Sequence, residues 1–477
     1  VIKMKRKLCI ILSVLMLLSS CGTSGPAATG SSGKDPGTSR EEPTGGGQTT
    51  DAHPGAPAVR FETVGYYAFD DASEAKCRFY RACGIDTIEL LDIGWYFREG
   101  EPLDAFRERM KGWIGTAHSF GLRVYVVLLT NLEQWDGEAD CGNGSGKTFD
   151  PDDSGKMAAR LAEIERNVEY WSDADGFSLF AGDPGGVASL RTNKGSIGYY
   201  LDMVRKVREI VRQKSPEAEF NANIWSVSQW ERSTSNPFYQ KFWQAGGENG
   251  RAILAMEDLI NSDIGIEIPG HDWYRPLAFR CYGTTGRYPE KNFPVAEDIL
   301  PARERGVKRI WGFPHFLLDE LDDGDSGGSS RTELPAINLR YIKKYIDAAD
   351  SAGLNGVIAG ASGINNALNL YAFSRFAADA GLTVDDVLLE YAGYLVPEEQ
   401  KEMLADIFRY IENDSNWHSK MPDGYRLPEL ETGFSGPDEA IEAFGKLTPL
   451  EDPGFPLPEP PAEYLAKIGQ RLELIGK

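Results

Sequence analysis

Short apolar runs alternate with long amphipathic segments along the chain from residue 59 to residue 380. Near-continuous apolar runs are typical of strands that are buried on both faces, and the intervening segments show the helical period. Strands are therefore predicted at 61–67, 87–91, 123–129, 176–181, 219–225, 264–269, 308–313 and 356–361. Helices are predicted at 72–82, 103–120, 152–171, 197–214, 237–261, 333–352 and 366–380, with 252–256 as an alternative strand.

This alternation of strands and helices predicts an α/β fold, a (β/α)8 TIM barrel over residues 59–380. A doubly wound open sheet fits the pattern less well, because no glycine fingerprint follows the first strand. Further helices are predicted at 383–413 and 461–475. Residues 381–477 are therefore expected to form a C-terminal helical extension that packs on the barrel.

The N-terminal segment has the features of an export signal. A basic run at residues 5–7 precedes an apolar stretch at 8–18 that is too short to span a bilayer. The stretch ends in Leu18-Ser19-Ser20-Cys21, which resembles a bacterial lipobox. Residues 1–20 are therefore expected to be a lipoprotein signal peptide, with lipid on Cys21 after cleavage. An ordinary signal with an incidental Cys21 is the alternative.

Residues 21–58 consist mainly of Gly, Ser, Thr, Pro and Ala and cannot bury a core. They are expected to form a flexible tether between the lipid anchor and the barrel. The protein would then be exported and lipid-anchored to the bacterial cell membrane, with its domain outside the cytoplasm. Membrane contact is expected only through the N-terminal lipid.

The charge of the chain excludes one class of partner. A formal net charge of −22 would repel phosphate backbones, so nucleic acid is not an expected partner. The cysteines lack the CxxC spacing of a structural zinc site. Neither a metal nor a cofactor is predicted.

The predicted strand ends carry aromatic, amide, carboxylate and histidine side chains, and a barrel of this type places its chemistry there. Sugars present apolar C–H faces that stack on rings and hydroxyl groups that bind amides and carboxylates. The segment 360–363 is small enough to hold a phosphate, which is a weaker alternative. The candidate substrate-binding residues are Tyr66, Asp92, Trp95, Asn131, Asn223, Trp225, His271, Asp272, Arg275, Trp311 and His315.

Asp183 is the strongest candidate for a catalytic acid. The apolar strand that ends at Ala181 leads into Gly182-Asp183-Pro184-Gly185-Gly186. Two glycines let a ligand approach the backbone closely, and Pro184 stiffens the turn. A turn-capping role for Asp183 is the alternative.

Glycoside hydrolysis commonly uses two carboxyl groups, and the second one is less clear in this sequence. Asp319 and Glu320 follow the seventh predicted strand and are the preferred candidates. Glu267, Asp272 and Glu257 are alternatives. A metal held by His271, His315 and Asp183 is disfavoured, because the two histidines lack the HxH or HExxH spacing.

Two tracts carry a family resemblance. Residues 182–186 look like the fourth strand of barrel glycosidases related to α-glucuronidases and β-hexosaminidases, and residues 367–377 are similar to the post-barrel region of the α-glucuronidase group. The resemblance implies a glycoside hydrolase. Hexosaminidases of that group carry an Asp-Glu pair where this chain has Asp183 and Pro184. The resemblance therefore does not extend to a substrate-assisted mechanism or to N-acetyl sugars.

The expected function is a surface-anchored glycoside hydrolase acting on an oligosaccharide or polysaccharide. A non-catalytic glycan-binding lipoprotein on the same barrel is the main alternative, because the second acid is not obvious. A lyase or aldolase ranks last, since no Lys lies at a predicted strand end to form a Schiff base.

Lipidation of Cys21 is a testable expectation. Mass spectrometry of the protein from its native membrane should find a mature chain that starts at a diacylated Cys21. A mature start elsewhere, or an unmodified Cys21, would contradict the lipobox interpretation.

Overall fold

The computed structural model describes residues 60–68, 71–92, 102–130, 153–180, 195–223, 263–269, 296–314, 318, 334–335, 337–361, 366–414 and 427–475. Within them lie eight strands: β1 Thr63–Ala68, β2 Thr87–Leu91, β3 Arg123–Leu129, β4 Gly176–Phe180, β5 Glu219–Asn223, β6 Ile264–Pro269, β7 Ile310–Phe313 and β8 Gly356–Ala361. All neighbouring strands pair in parallel, and β8 pairs with β1, so the sheet is a closed barrel. The predicted (β/α)8 barrel is confirmed.

Helices follow the strands and continue beyond the barrel. They are α1 Glu74–Cys83, α2 Leu103–Ser119, α3 Ser154–Tyr170, α4 Gly195–Lys214, α5 Ala296–Glu304, α6 Leu339–Ala352, α7 Ala367–Ala378, α8 Val384–Ala392, α9 Lys401–Asn413, α10 Pro437–Phe444 and α11 Pro461–Ile475. Strands β2, β3, β6 and β8 have the predicted bounds, and the other elements differ from prediction by a few residues. The sequence pattern did not predict α5 or α10, and the helix expected at 237–261 lies outside the described residues.

Local sequence signals explain several helix ends. The Asp153 carboxylate accepts hydrogen bonds from the backbone N–H groups of Gly155 and Lys156, both at 3.0 Å, and so caps the start of α3. Gly84 ends α1 with φ at 100°, a left-handed conformation that favours glycine. These caps fix where α3 begins and where α1 ends.

The barrel interior is filled in layers by residues from opposite strands. At the amino ends, Glu219 forms ion pairs with Arg123 at 2.6 Å and with Arg309 at 3.4 Å. Above them the Tyr125 and Trp311 rings meet edge to face, with centroids 5.1 Å apart. The interior is therefore a packed core, as this fold requires.

Three aromatic rings close the barrel near its carboxyl ends. Tyr67 stacks on Phe180 with centroids 5.5 Å apart, and Phe313 packs edge-on against both. We call these three residues the ring layer. They come from β1, β4 and β7, so the layer spans the barrel from side to side.

The C-terminal helices pack on the barrel helices. Arg340 on α6 donates to the buried Glu412 on α9 at 2.9 Å, and the Arg340 backbone N–H donates to the same carboxylate. Phe455 stacks on Tyr394 at 4.5 Å and contacts Phe79 of α1 edge-on. These contacts join the end of the chain to the helical layer of the barrel.

Two further findings bear on the sequence expectations. Cys77 and Cys83 are buried free thiols, and burial raises the pKa of Cys77 to about 11. Cys141 and Cys281 lie outside the described residues. None of the helices in the described part of the chain is long and apolar enough to cross a bilayer.

Gly176 should tolerate no side chain, because a Cβ atom there would lie 2.2 Å from the Tyr125 ring. Gly176→Ala is expected to lower the free energy of unfolding by about 1–3 kcal/mol through overpacking. Gly112, in the middle of α2, is exposed, and a Cβ atom there would meet nothing within 4 Å. Gly112→Ala should be neutral or stabilising by up to about 1 kcal/mol. Urea denaturation of both variants gives the comparison, and equal effects would contradict the packing argument.

Candidate functional site

Two glutamates from opposite sides of the barrel meet in its interior. Glu89 lies on β2, Glu267 on β6, and Ser178 on β4 stands between them. The Ser178 hydroxyl oxygen is 2.7 Å from Oε1 of Glu89 and 2.6 Å from Oε1 of Glu267. We call Glu89 and Glu267 the acid pair. All three side chains are fully buried.

Two amides on β5 support one member of the acid pair. Asn221 Nδ2 donates to Glu267 Oε1 at 3.0 Å, and Asn223 Nδ2 donates to Oε2 at 2.7 Å. Arg309 Nε donates to Asn221 Oδ1 at 3.2 Å, which fixes the orientation of that amide. Glu267 thus accepts from side chains on both of its oxygens. Oε2 of Glu89, in contrast, has no hydrogen-bond partner among the described residues.

The environment of the acid pair favours protonation. Burial raises the pKa of Glu89 well above its ordinary range, and the nearby charge of Glu267 raises it further. Burial also raises the pKa of Glu267, against the opposing effect of hydrogen bonds from Ser178 and the two amides. Because the acid pair is fully buried, neither carboxyl group contacts solvent in this structure.

A second buried carboxylate lies at the carboxyl end of β2. Asp92 follows the last residue of that strand and is 3.0 Å from Nη2 of Arg160 on α3. Arg160 also donates to the backbone carbonyl of Leu129, the last residue of β3. Arg160 therefore joins the carboxyl ends of the neighbouring strands β2 and β3.

A polar network behind Arg160 extends this connection. Asn167 on α3 donates to Asp92 at 3.4 Å and accepts from Arg107 of α2 at 2.9 Å. Arg107 also pairs with Glu163. Burial raises the pKa of Asp92, although the charge of Arg160 acts in the opposite direction. The network fixes the Asp92 carboxylate by contacts that lead back to two helices.

Four of the predicted substrate-binding residues are described, and each is buried. Asp92 lies at a strand end as expected. Asn223 is the last residue of β5 and holds Glu267. Tyr66 packs against Tyr80 of α1, at 5.1 Å between centroids, and so faces the helical layer. Trp311 packs on Tyr125 inside the barrel, below the strand ends. Their binding roles stay predictions.

The remaining site candidates lie outside the described residues. This applies to all three predicted catalytic residues and to most of the binding set: Asp183, Asp319, Glu320, Trp95, Asn131, Trp225, His271, Asp272, Arg275, His315, and the expected lipidation site Cys21. Asp183 is the third residue after the end of β4, and Asp319 is the sixth after the end of β7.

Three polar residues of the interior and the rim were not predicted from the sequence: Glu89, Ser178 and Arg160. A signal for Glu89 was present, since it interrupts the apolar strand Thr-Ile-Glu-Leu-Leu at an inward position. Arg160 gave no comparable signal, because an arginine on an amphipathic helix is ordinarily solvated. Across the described residues, no group of three or more His, Cys, Asp or Glu side chains is placed to hold a metal ion.

Comparisons with known proteins find similarity in structure. No protein-family model matches the sequence, and no curated protein matches it. An O-GlcNAc hydrolase of Thermobaculum terrenum matches with a TM-score of 0.44 and 9% identity, over 81% of this chain and 72% of its own. A GH138 enzyme targeting pectin rhamnogalacturonan II matches with a TM-score of 0.45 and 11% identity, over 76% of this chain and 42% of its own.

A D-psicose 3-epimerase from Clostridium cellulolyticum also matches, with a TM-score of 0.37 and 11% identity, over 73% of this chain and 99% of its own. The matching structures thus include glycoside hydrolases and an epimerase.

The Asp92–Arg160 pair generates a stability prediction. Arg160→Met should lower the free energy of unfolding by about 3–5 kcal/mol, because it leaves a buried carboxylate without its cation. Adding Asp92→Asn should recover part of the loss, since the unpaired charge is then gone. Urea denaturation measures both variants, and strictly additive losses would contradict this coupling.

The control is the exposed pair Arg205–Asp202, 3.3 Å apart on α4. Arg205→Met removes the same kind of ion pair in contact with water. Its effect should stay within about 0.5 kcal/mol.

Proposed function

We propose that the chain is a glycoside hydrolase that cleaves an oligosaccharide or polysaccharide by acid and base catalysis at the carboxyl ends of the barrel strands. Asp183 is the proposed acid, and Asp319 or Glu320 supplies the second carboxylate. The enzyme would be exported and held at the cell surface by a lipid on Cys21.

The observation that supports this proposal most is the ring layer at the carboxyl ends of the barrel. Two of its members, Phe180 and Phe313, are the last residues of β4 and β7. The same two strands lead into the segments that carry Asp183, Asp319 and Glu320. The three rings are buried and close the barrel where these segments begin, so they give the proposed site a rigid aromatic floor.

Asp92 is the proposed contact for a sugar hydroxyl group at the rim of this site. Arg160 and Asn167 hold its carboxylate in one position. A fixed carboxylate loses little freedom when it accepts a hydrogen bond from a ligand, which favours specific binding. In this role Arg160 is a positioning residue.

A non-catalytic glycan-binding protein is the second candidate, and a specific observation favours it. In the described part of the chain, the buried carboxylates at the rim and in the interior of the barrel already bind protein groups. Asp92 is paired with Arg160, and Glu267 is bound by two asparagines. Catalysis therefore depends on the carboxylates of residues 183, 319 and 320.

Asp183→Asn tests the proposal directly. The substitution keeps the size of the side chain but removes its charge and its transferable proton. If Asp183 is the general acid or base, turnover of aryl glycosides should fall by roughly 10²–10⁴-fold while the fold stays intact. A weaker affinity with a small loss of turnover would instead assign Asp183 to substrate binding.

Asp438→Asn is the matched control, since Asp438 is exposed in the first turn of α10. It should leave turnover unchanged.

Retention on immobilised glycans separates the two candidate functions. Retention without turnover of any glycoside would contradict the hydrolase and support the binding protein, and unchanged kinetics and binding in Asp183→Asn would remove Asp183 from the site.

A further inference from the structure

We propose that the acid pair holds one proton between its two carboxyl groups, with Glu89 as the neutral carboxyl and Glu267 as the carboxylate. The barrel interior is then a proton-binding site whose occupancy controls the stability of the barrel. This inference concerns the scaffold and does not rest on the proposed hydrolase activity.

The hydrogen bonds around Ser178 require a hydrogen on one of the carboxyl groups. The Ser178 hydroxyl oxygen lies 2.7 Å from Glu89 and 2.6 Å from Glu267, and both distances are those of O–H···O hydrogen bonds. A hydroxyl group has one hydrogen and can donate to only one carboxylate. The other contact needs a hydrogen on a carboxyl oxygen.

The amides on β5 decide which glutamate carries the hydrogen. Glu267 accepts from Asn221 on one oxygen and from Asn223 on the other. The direction of the Asn221 bond is fixed, because Arg309 occupies the oxygen of that amide. Donors on both oxygens stabilise an ionised carboxylate. Among the described residues no amide donates to Glu89, so Glu89 is the member that stays neutral and donates to Ser178.

The side chains that neighbouring elements place around the acid pair are uncharged. They include Ser178 from β4, Asn221 and Asn223 from β5, and Tyr200 from α4. The strand register also places Tyr67 of β1 and Tyr125 of β3 level with Glu89, and Trp311 of β7 level with Glu267. The Tyr200 hydroxyl oxygen lies 2.7 Å from the backbone carbonyl oxygens of Leu179 and Asn223 and donates its hydrogen to one of them, and burial raises its pKa well above the ordinary value. The Arg309 guanidinium contacts Asn221, which in turn donates to Glu267. Its ion-pair partner is Glu219.

No ion pair to Glu89 or Glu267 is found within the described ranges. Two like charges in one buried site, without a cation, would repel strongly. One retained proton removes that repulsion. The raised pKa of Glu89, caused first by burial and then by the charge of Glu267, agrees with this assignment.

The consequence is a dependence of stability on pH. In the unfolded chain both glutamates have a pKa of about 4.3. The folded barrel retains one proton above that pH, so the free energy of unfolding falls as the pH rises, until the folded pair also releases its proton. Each proton retained only by the folded state makes unfolding about tenfold more favourable per pH unit.

The experiment compares the full-length chain with Glu89→Gln by urea denaturation from pH 5 to pH 9. Glutamine is neutral, has the shape of a protonated glutamate, and can donate to the same oxygens. Glu89→Gln should match the unmodified chain near pH 5 and exceed its stability at pH 9. Its folding equilibrium constant should change about tenfold less per pH unit between about pH 4.3 and the pH at which the folded pair releases its proton.

Glu267→Gln is the matched variant, with the same chemical change on the other member. Its side-chain NH2 group must face Asn221 or Asn223, which are donors themselves. We therefore expect a loss of stability at every pH, including pH 5. The opposite pattern, with Glu267→Gln tolerated and Glu89→Gln destabilised at pH 5, would overturn the assignment of the proton to Glu89.

Equal pH slopes for the unmodified chain and Glu89→Gln would overturn the proposal as a whole.

If either variant fails to fold, infrared spectroscopy of the unmodified chain still tests the proposal. It should show the carbonyl band of a buried protonated carboxyl group at neutral pH, and the absence of that band would contradict a shared proton.

Discussion

Closure of the sheet between β1 and β8 is the constraint that governs everything inside the barrel. Six residue pairs, from Thr63 with Gly356 to Ala68 with Ala361, join the first strand to the last. Closure removes the free edges of the sheet and seals its inner face from water. Every inward side chain must therefore either fill space or find a partner inside the barrel.

Glycines and aromatic rings meet the first of these demands. The Tyr125 ring lies where a Cβ of Gly176 would be, and Trp311 does the same at Gly356. In each case the glycine has no side chain, and the ring from the neighbouring strand occupies the space inside the barrel. The ring layer then closes the barrel at the carboxyl ends, next to the strand ends from which the proposed site is built.

The buried carboxyl groups meet the second demand in two different ways. Asp92 at the rim is neutralised by Arg160, whereas the acid pair in the interior has amide and hydroxyl partners and, within the described residues, no cation. A guanidinium from the helical layer reaches the rim at the end of a strand. In the middle of the barrel, a retained proton is the smallest group that removes the repulsion. This difference matches the two roles proposed above, a scaffold role for the acid pair and a ligand-binding role for Asp92 at the rim.

Local patterns in the sequence were enough to predict the barrel, because each strand is a short apolar run and each helix an amphipathic one. They did not reveal α5, which has weak apolar periodicity, or α10, which lies in a Pro/Gly-rich stretch. Folding in three dimensions brought Glu89, Ser178 and Glu267 together, since 89 positions separate each from the next. It also decided that Tyr66 faces α1 and that Arg160 reaches Asp92. Such contacts depend on strand register and helix placement, and both are set by the packing of the closed barrel rather than by any local stretch of residues.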